Sequence, residues 1–110
     1  MTSDGIATAN NRFGLKEITI TAIQSVFKKY PEIEQALLYG SRAKGVYKPG
    51  SDIDLTLKGE SIDLSVMNQI GLTLDDLLLP YTFDLSVYSH IRNKDLLEHI
   101  DRVGIELYRR

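Results

Sequence analysis

Ala36-Leu37-Leu38-Tyr39-Gly40-Ser41-Arg42-Ala43-Lys44-Gly45, followed by Ser51-Asp52-Ile53-Asp54-Leu55-Thr56-Leu57-Lys58, decides the architecture of this chain. The apolar run ending at Gly40 suits a short strand covered on both faces. From Asp52 to Lys58 the alternation is strict, so a strand there sends Ile53, Leu55 and Leu57 to one face and both carboxylates to the other. Residues 82 to 88 repeat the pattern, with Phe83, Leu85 and Val87 apolar and Thr82, Asp84, Ser86 and Tyr88 polar. Asp84 therefore points away from the core as well.

Outward from these strands the period changes to that of helices. Leu15, Ile18, Ala22, Ile23, Val26, Phe27 and Tyr30 form one stripe that predicts a helix from about 16 to 30, ended by Pro31 and without a capping side chain at its start. Ile62, Val66, Ile70, Leu74 and Leu77 or Leu78 mark a second helix, with Ser61 as its N-cap and Pro80 at its end. Asn93 caps a last helix whose stripe of Leu96, Leu97, Ile100, Val103, Gly104 and Leu107 runs to the C-terminus. The order is α-β-β-α-β-α. A helical crossover makes the second and third strands parallel, and the shorter link from 40 to 51 permits an antiparallel first pair. The expected fold is α/β (α+β), a small mixed sheet with helices packed on its apolar face. Residues 1–13, small and polar without a period, read as a flexible tail, and 14–110 as a single domain.

The composition agrees with one domain: 110 residues, 43% hydrophobic and 25% charged. Without cysteine there are no disulfides, thiolate zinc sites or cysteine nucleophiles, which fits a reducing, cytoplasmic setting. No long apolar run or signal-peptide pattern points to a membrane. Thirteen Lys and Arg against fifteen Asp and Glu give a net charge of −2, so no direct nucleic-acid binding is expected. Locally, however, Arg42, Lys44 and Lys48 gather just before the acidic pair.

Carboxylates two apart on a strand have Cα atoms roughly 6.6 Å apart on one face, so Asp52 and Asp54 can converge on a hard cation. Magnesium takes oxygen ligands from one or two carboxylates and completes its shell with substrate phosphates and water. Asp84, on a neighbouring parallel strand, adds a third outward acid, and three such charges repel unless cations intervene. Gly40 lets the main chain approach a ligand, Ser41 adds a hydroxyl and an N–H for phosphate, and Arg42 and Lys44 can add charge-assisted bonds. Ten residues separate Ser41 from Asp52, giving Gly-Ser-x10-Asp-x-Asp with a third Asp on the next strand. His90 and His99 have no second histidine or cysteine at metal-ligand spacing and read as solvated or structural. Asp75 and Asp76 read as a solvated pair, and the tyrosines as core-edge residues.

Leu38 to Gly45, Ser51-Asp52-Ile53-Asp54-Leu55 and Phe83-Asp84-Leu85 together resemble the signature of the polymerase-beta-like nucleotidyltransferases, and more closely the minimal nucleotidyltransferases, MNT. The resemblance runs from about Phe13 to Tyr108. It implies the polymerase-beta-like fold, with Gly40 and Ser41 holding a nucleoside triphosphate assisted by Arg42 or Lys44. It further implies that Asp52 and Asp54 bind two magnesium ions and that Asp84 shares one of them and helps to activate the attacking hydroxyl. The helical acceptor-binding domain of larger relatives is missing, which implies a protein partner and a hetero-oligomer. Family members of this size resemble antitoxins of HEPN toxins, some of which transfer AMP from ATP to a toxin tyrosine. The expected function is that transfer; the alternatives are an antitoxin that masks its toxin by contact, and transfer to a small molecule such as an aminoglycoside.

Overall fold

The computed structural model describes residues 11–110. A hairpin of β1 (Asn11–Arg12) and β2 (Leu15–Lys16) leads directly into helix α1 (Glu17–Lys28). Then follow β3 (Gln35–Tyr39), the short helix α2 (Gly40–Lys44), β4 (Ile53–Lys58), α3 (Leu64–Asp75), β5 (Phe83–Val87), a single 3₁₀ turn at Tyr88–His90, α4 (Lys94–Val103) and β6 (Ile105–Arg109). The main sheet has the order β5-β4-β3-β6. As the link lengths require, β3 and β4 are antiparallel and β4 and β5 parallel.

Of the tail expected over residues 1–13, residues 1–10 lie outside the described residues, whereas Asn11 and Arg12 are paired with Lys16 and Leu15. The hairpin turns through Phe13 (φ 58°) and Gly14 (φ 73°), both left-handed as a two-residue hairpin loop demands. Arg12 also forks onto the Glu17 carboxylate at the start of α1. The expected lack of a side-chain cap on α1 holds, at Lys16. Its buried stripe is Ile20, Ile23, Val26 and Phe27, and Ile18 faces solvent at 77% exposure, so the hydrophobic face is rotated from the expected one.

Helix α3 is capped by Asp63, whose Oδ1 accepts the Val66 N–H at 2.8 Å, and not by Ser61. It ends at Asp75, ahead of Pro80, and Leu77 packs on the core while Leu78 is 88% exposed. The largest departure is at the C-terminus. The single helical stripe stops at Gly104, whose N–H still reaches Ile100 O at 2.7 Å but whose backbone is extended. Ile105, Leu107 and the polar residues between them then alternate as a strand on the free edge of β3. Leu107 satisfies both periods, so the stripe alone could not separate them.

Ile53, Leu55 and Leu57 of β4, with Ala36 and Leu38 of β3, are fully buried against α1 and α3. Helix α4 takes another place. It packs on β3 and α2, buries Ile100 outside the main core cluster, and brings His99 to Tyr39, whose side chain shares the Asp54 face of the sheet. Its start is the best-formed cap of the chain, since Asn93 Oδ1 accepts from Asp95 N at 2.9 Å and Leu96 N at 3.1 Å. Asn93→Ala should therefore cost about 1 kcal/mol and lower the melting temperature by about 4–8 °C, measurable by circular dichroism.

Candidate active site

Strand register builds the site. Tyr39 on β3 lies opposite Asp54 on β4, and Asp54 lies beside Asp84 on β5, so the three side chains form a row across the polar face. The next row of that face joins Ser86 Oγ to the fully buried Thr56 Oγ1 at 2.9 Å. Asp52 precedes β4 and is exposed. Gly40 starts α2 at φ 73°, and a Cβ on it would overlap Asp54 Oδ2. The turn is therefore closed to other residues twice, by conformation and by the carboxylate pressed against it. Ser41 follows, half-buried, in the first turn of α2, and Lys44 is exposed at its other end.

The three acids influence one another. Burial pushes the Asp54 carboxyl above its ordinary pKa, and the charges of Asp84 and then Asp52 push it further, against the pull of His99 and Arg42. Burial likewise raises the Tyr39 phenol, a hydrogen bond with Ser86 opposes this, and the charges of Asp84 and Asp54 add to it. Among the described residues, no three His, Cys, Asp or Glu side chains already stand close enough to enclose a metal ion. The donor set nevertheless fits a hard divalent cation: it is all oxygen, and its central member is crowded by like charges that such an ion would neutralise.

Arg42 corrects the expectation that it assists a triphosphate. It is 1% exposed. Its Nε and Nη2 donate to Ser51 O at 3.2 and 2.8 Å, Nη1 donates to Phe13 O at 2.9 Å, and Nη2 also reaches Pro49 O at 3.4 Å. The guanidinium lies over the rings of Tyr47 and Tyr81, 5.3 and 5.0 Å from their centroids. Four of its five N–H groups are thus engaged in tying the β1–β2 turn and the loop before β4 to α2, which fixes the main chain next to Asp52. Lys44 remains the exposed cation of that helix.

His99 is the residue that sequence reasoning set aside. Its Nε2 accepts the Gly40 N–H at 3.1 Å, and its ring stands edge-on to Tyr39 with centroids 6.1 Å apart. The only local signal was its place beside the buried Ile100 on α4. Its partner lies 59 residues away in sequence, beyond the reach of any periodicity. The Gly40 N–H is consequently spent inside the protein, leaving Ser41 as the member of the pair free to face a ligand.

Residues 21–110 match the family model described as polymerase beta, nucleotidyltransferase. Comparison with curated protein sequences finds no match. Among solved structures, the chain is similar to one from a toxin-antitoxin complex with AMP-PNP, at 19% identity and a TM-score of 0.68, over 83% of this chain and 73% of that one. It is also similar to a chain from the complex of the tri-AMPylated Shewanella oneidensis HEPN toxin with MNT antitoxin, at 17% identity and a TM-score of 0.63, over 86% and 72% of the two chains. A third, from the toxin-antitoxin MntA-HepT, gives 16% identity and a TM-score of 0.63 over 86% and 74%.

Two outcomes follow from this geometry. Arg42→Ala leaves three main-chain carbonyls without their donor and should cost about 3 kcal/mol or more, a fall of about 12 °C or more in a thermal melt. Arg42→Lys should rescue little of it, because one ammonium cannot span the carbonyls that a planar fork reaches. For Asp54 the raised folded-state pKa fixes the sign. The group favours the fold while protonated, and that contribution is lost as pH rises through the folded pKa. Asp54→Asn should therefore melt above wild type at pH 7 in EDTA. The gap should narrow as pH falls through the carboxylate range, and magnesium should raise the wild-type melting temperature while leaving the variant's unchanged.

Proposed function

The chain belongs to the polymerase beta nucleotidyltransferase family, and on that premise we propose that it transfers AMP from ATP to a tyrosine hydroxyl of a HEPN-type toxin, acting as its antitoxin. The observation that carries this reading is the Gly40-Ser41 turn seated directly on Asp54, with Asp84 beside Asp54 in the sheet and Asp52 just ahead of the strand that holds Asp54. A triphosphate-binding turn and an acidic metal-binding face are complementary halves of one nucleotidyl-transfer site. The similar complexes support the substrate and the partner, since one contains AMP-PNP and another an AMPylated HEPN toxin with its MNT antitoxin.

In this reading Ser41 and Lys44 bind the triphosphate, and Asp52, Asp54 and Asp84 are the residues that would hold magnesium. Magnesium bound there supplies positive charge against the triphosphate and the attacking and leaving oxygens. Asp84 is exposed, on the edge strand β5, where a hydroxyl brought by another protein can reach it. It orients that hydroxyl and draws its proton as the new oxygen–phosphorus bond forms at the α-phosphate. The bond from the α-phosphate to the leaving oxygen breaks in line, and pyrophosphate departs.

Incubation with the purified toxin, ATP and magnesium, followed by intact-mass spectrometry, should show the toxin gaining AMP units. Asp54→Asn should reduce transfer by at least about 100-fold, and Asp84→Asn should keep much of the ATP binding while losing most transfer, an effect confined to the transition state. A toxin that is fully inhibited yet unmodified would replace this reading with masking by contact.

A further inference from the structure

We infer that His99 is a positioning residue for the triphosphate-binding turn, an inference that rests on the transferase reading. Helix α2 begins without a cap from its own neighbourhood, for its N-cap Tyr39 makes no side-chain capping bond to the helix. An N–H at such a helix start needs an acceptor or water. Here the acceptor is His99 Nε2, delivered by α4, and the bond fixes the left-handed Gly40 turn against Asp54.

The placement of His99 is itself well determined. Ile100, the next residue, is buried, and the Tyr39 ring meets the imidazole edge-on at an interplanar angle of 78°. Tyr88 Oη donates to Asp101 Oδ1 at 2.6 Å, so the residue two beyond His99 ties α4 to the 3₁₀ turn that follows β5. Because Nε2 accepts a hydrogen bond, the proton of the ring lies on Nδ1. His99 therefore acts as a cap supplied from a distant helix. It divides the turn's two donors by task, with the Gly40 N–H holding the turn to the protein and Ser41 left for phosphate. Its contribution belongs to nucleotide binding and not to bond making, since the imidazole is directed at the main chain of residue 40.

The substitutions His99→Leu and His99→Gln separate this role from simple packing. Both keep side-chain bulk, but only glutamine can accept from Gly40 N. Amide hydrogen exchange measured by NMR on the full chain without nucleotide should show the Gly40 amide protected in wild type and His99→Gln, and exchanging at least about tenfold faster in His99→Leu. Long-range ¹H–¹⁵N spectra of wild type should show the proton on Nδ1. In AMP transfer, the loss of about one hydrogen bond predicts that His99→Leu raises KM for ATP by about five- to tenfold with kcat changed less than threefold, and that His99→Gln recovers most of the change. If His99→Leu fails to fold, the wild-type tautomer and the His99→Gln exchange rate still decide the matter. An unprotected Gly40 amide in wild type, an Nε2 proton, or an unchanged or lower KM in a folded His99→Leu would overturn the inference. Absence of transfer by wild type would instead sink the transferase reading, and the exchange and tautomer measurements do not depend on it.

Discussion

The carboxylate of Asp54 occupies the space that a side chain at residue 40 would need, and most of the site's layout is a consequence of that contact. The antiparallel register of β3 and β4 puts Tyr39 opposite Asp54, so the chain must turn immediately beyond Tyr39 to pass the acid. A left-handed glycine makes the turn, and α2 then carries Ser41 and Lys44 away over the same face. The parallel pairing with β5 adds Asp84 at the level of Asp54. One steric constraint thereby links the glycine turn before α2 to the acidic row of the sheet.

The two faces of the sheet carry opposite energetic signs. On the apolar face, Ile53, Leu55 and Leu57 are buried against α1 and α3 and supply hydrophobic stabilisation. On the polar face, burial and neighbouring charges disfavour the ionised form of Asp54, so its charge works against the fold. Three acids gathered on one face are not relaxed electrostatically on their own. The cost is carried by the core on the other side of the same strand.

The sequence made the sheet's centre legible because strict alternation in β4 and β5 has one structural reading, and because link length settles the direction of pairing. The acidic row followed from the same alternation, and the cap at Asn93 from its place ahead of the last helical stripe. The strand β6 was hidden, since Leu107 continues the helical stripe and only the free edge of β3 calls for a partner. The hairpin was hidden by its Phe-Gly turn, which lacks the Asn-Gly or Asp-Gly chemistry that marks such loops. The partners of Arg42 and His99 were hidden for a common reason. Each takes its role from main-chain groups far along the chain, Phe13 O in one case and Gly40 N in the other, and no local pattern announces which backbone atoms a polar side chain will meet.

The guanidinium that gathers the hairpin turn and the loop before β4 does so through the carbonyls of Phe13, Pro49 and Ser51. A carbonyl is the same group whatever side chain stands beside it. The latch is therefore indifferent to most of the loop's chemistry: exposed positions such as Val46, Lys48 and Gly50 can change character while the chain path to Asp52 is kept. Because the fastening is made to the backbone, the outward residues of this loop are free to adapt to whatever surface comes to lie against them, and the strand that carries Asp54 need not be rebuilt each time they do.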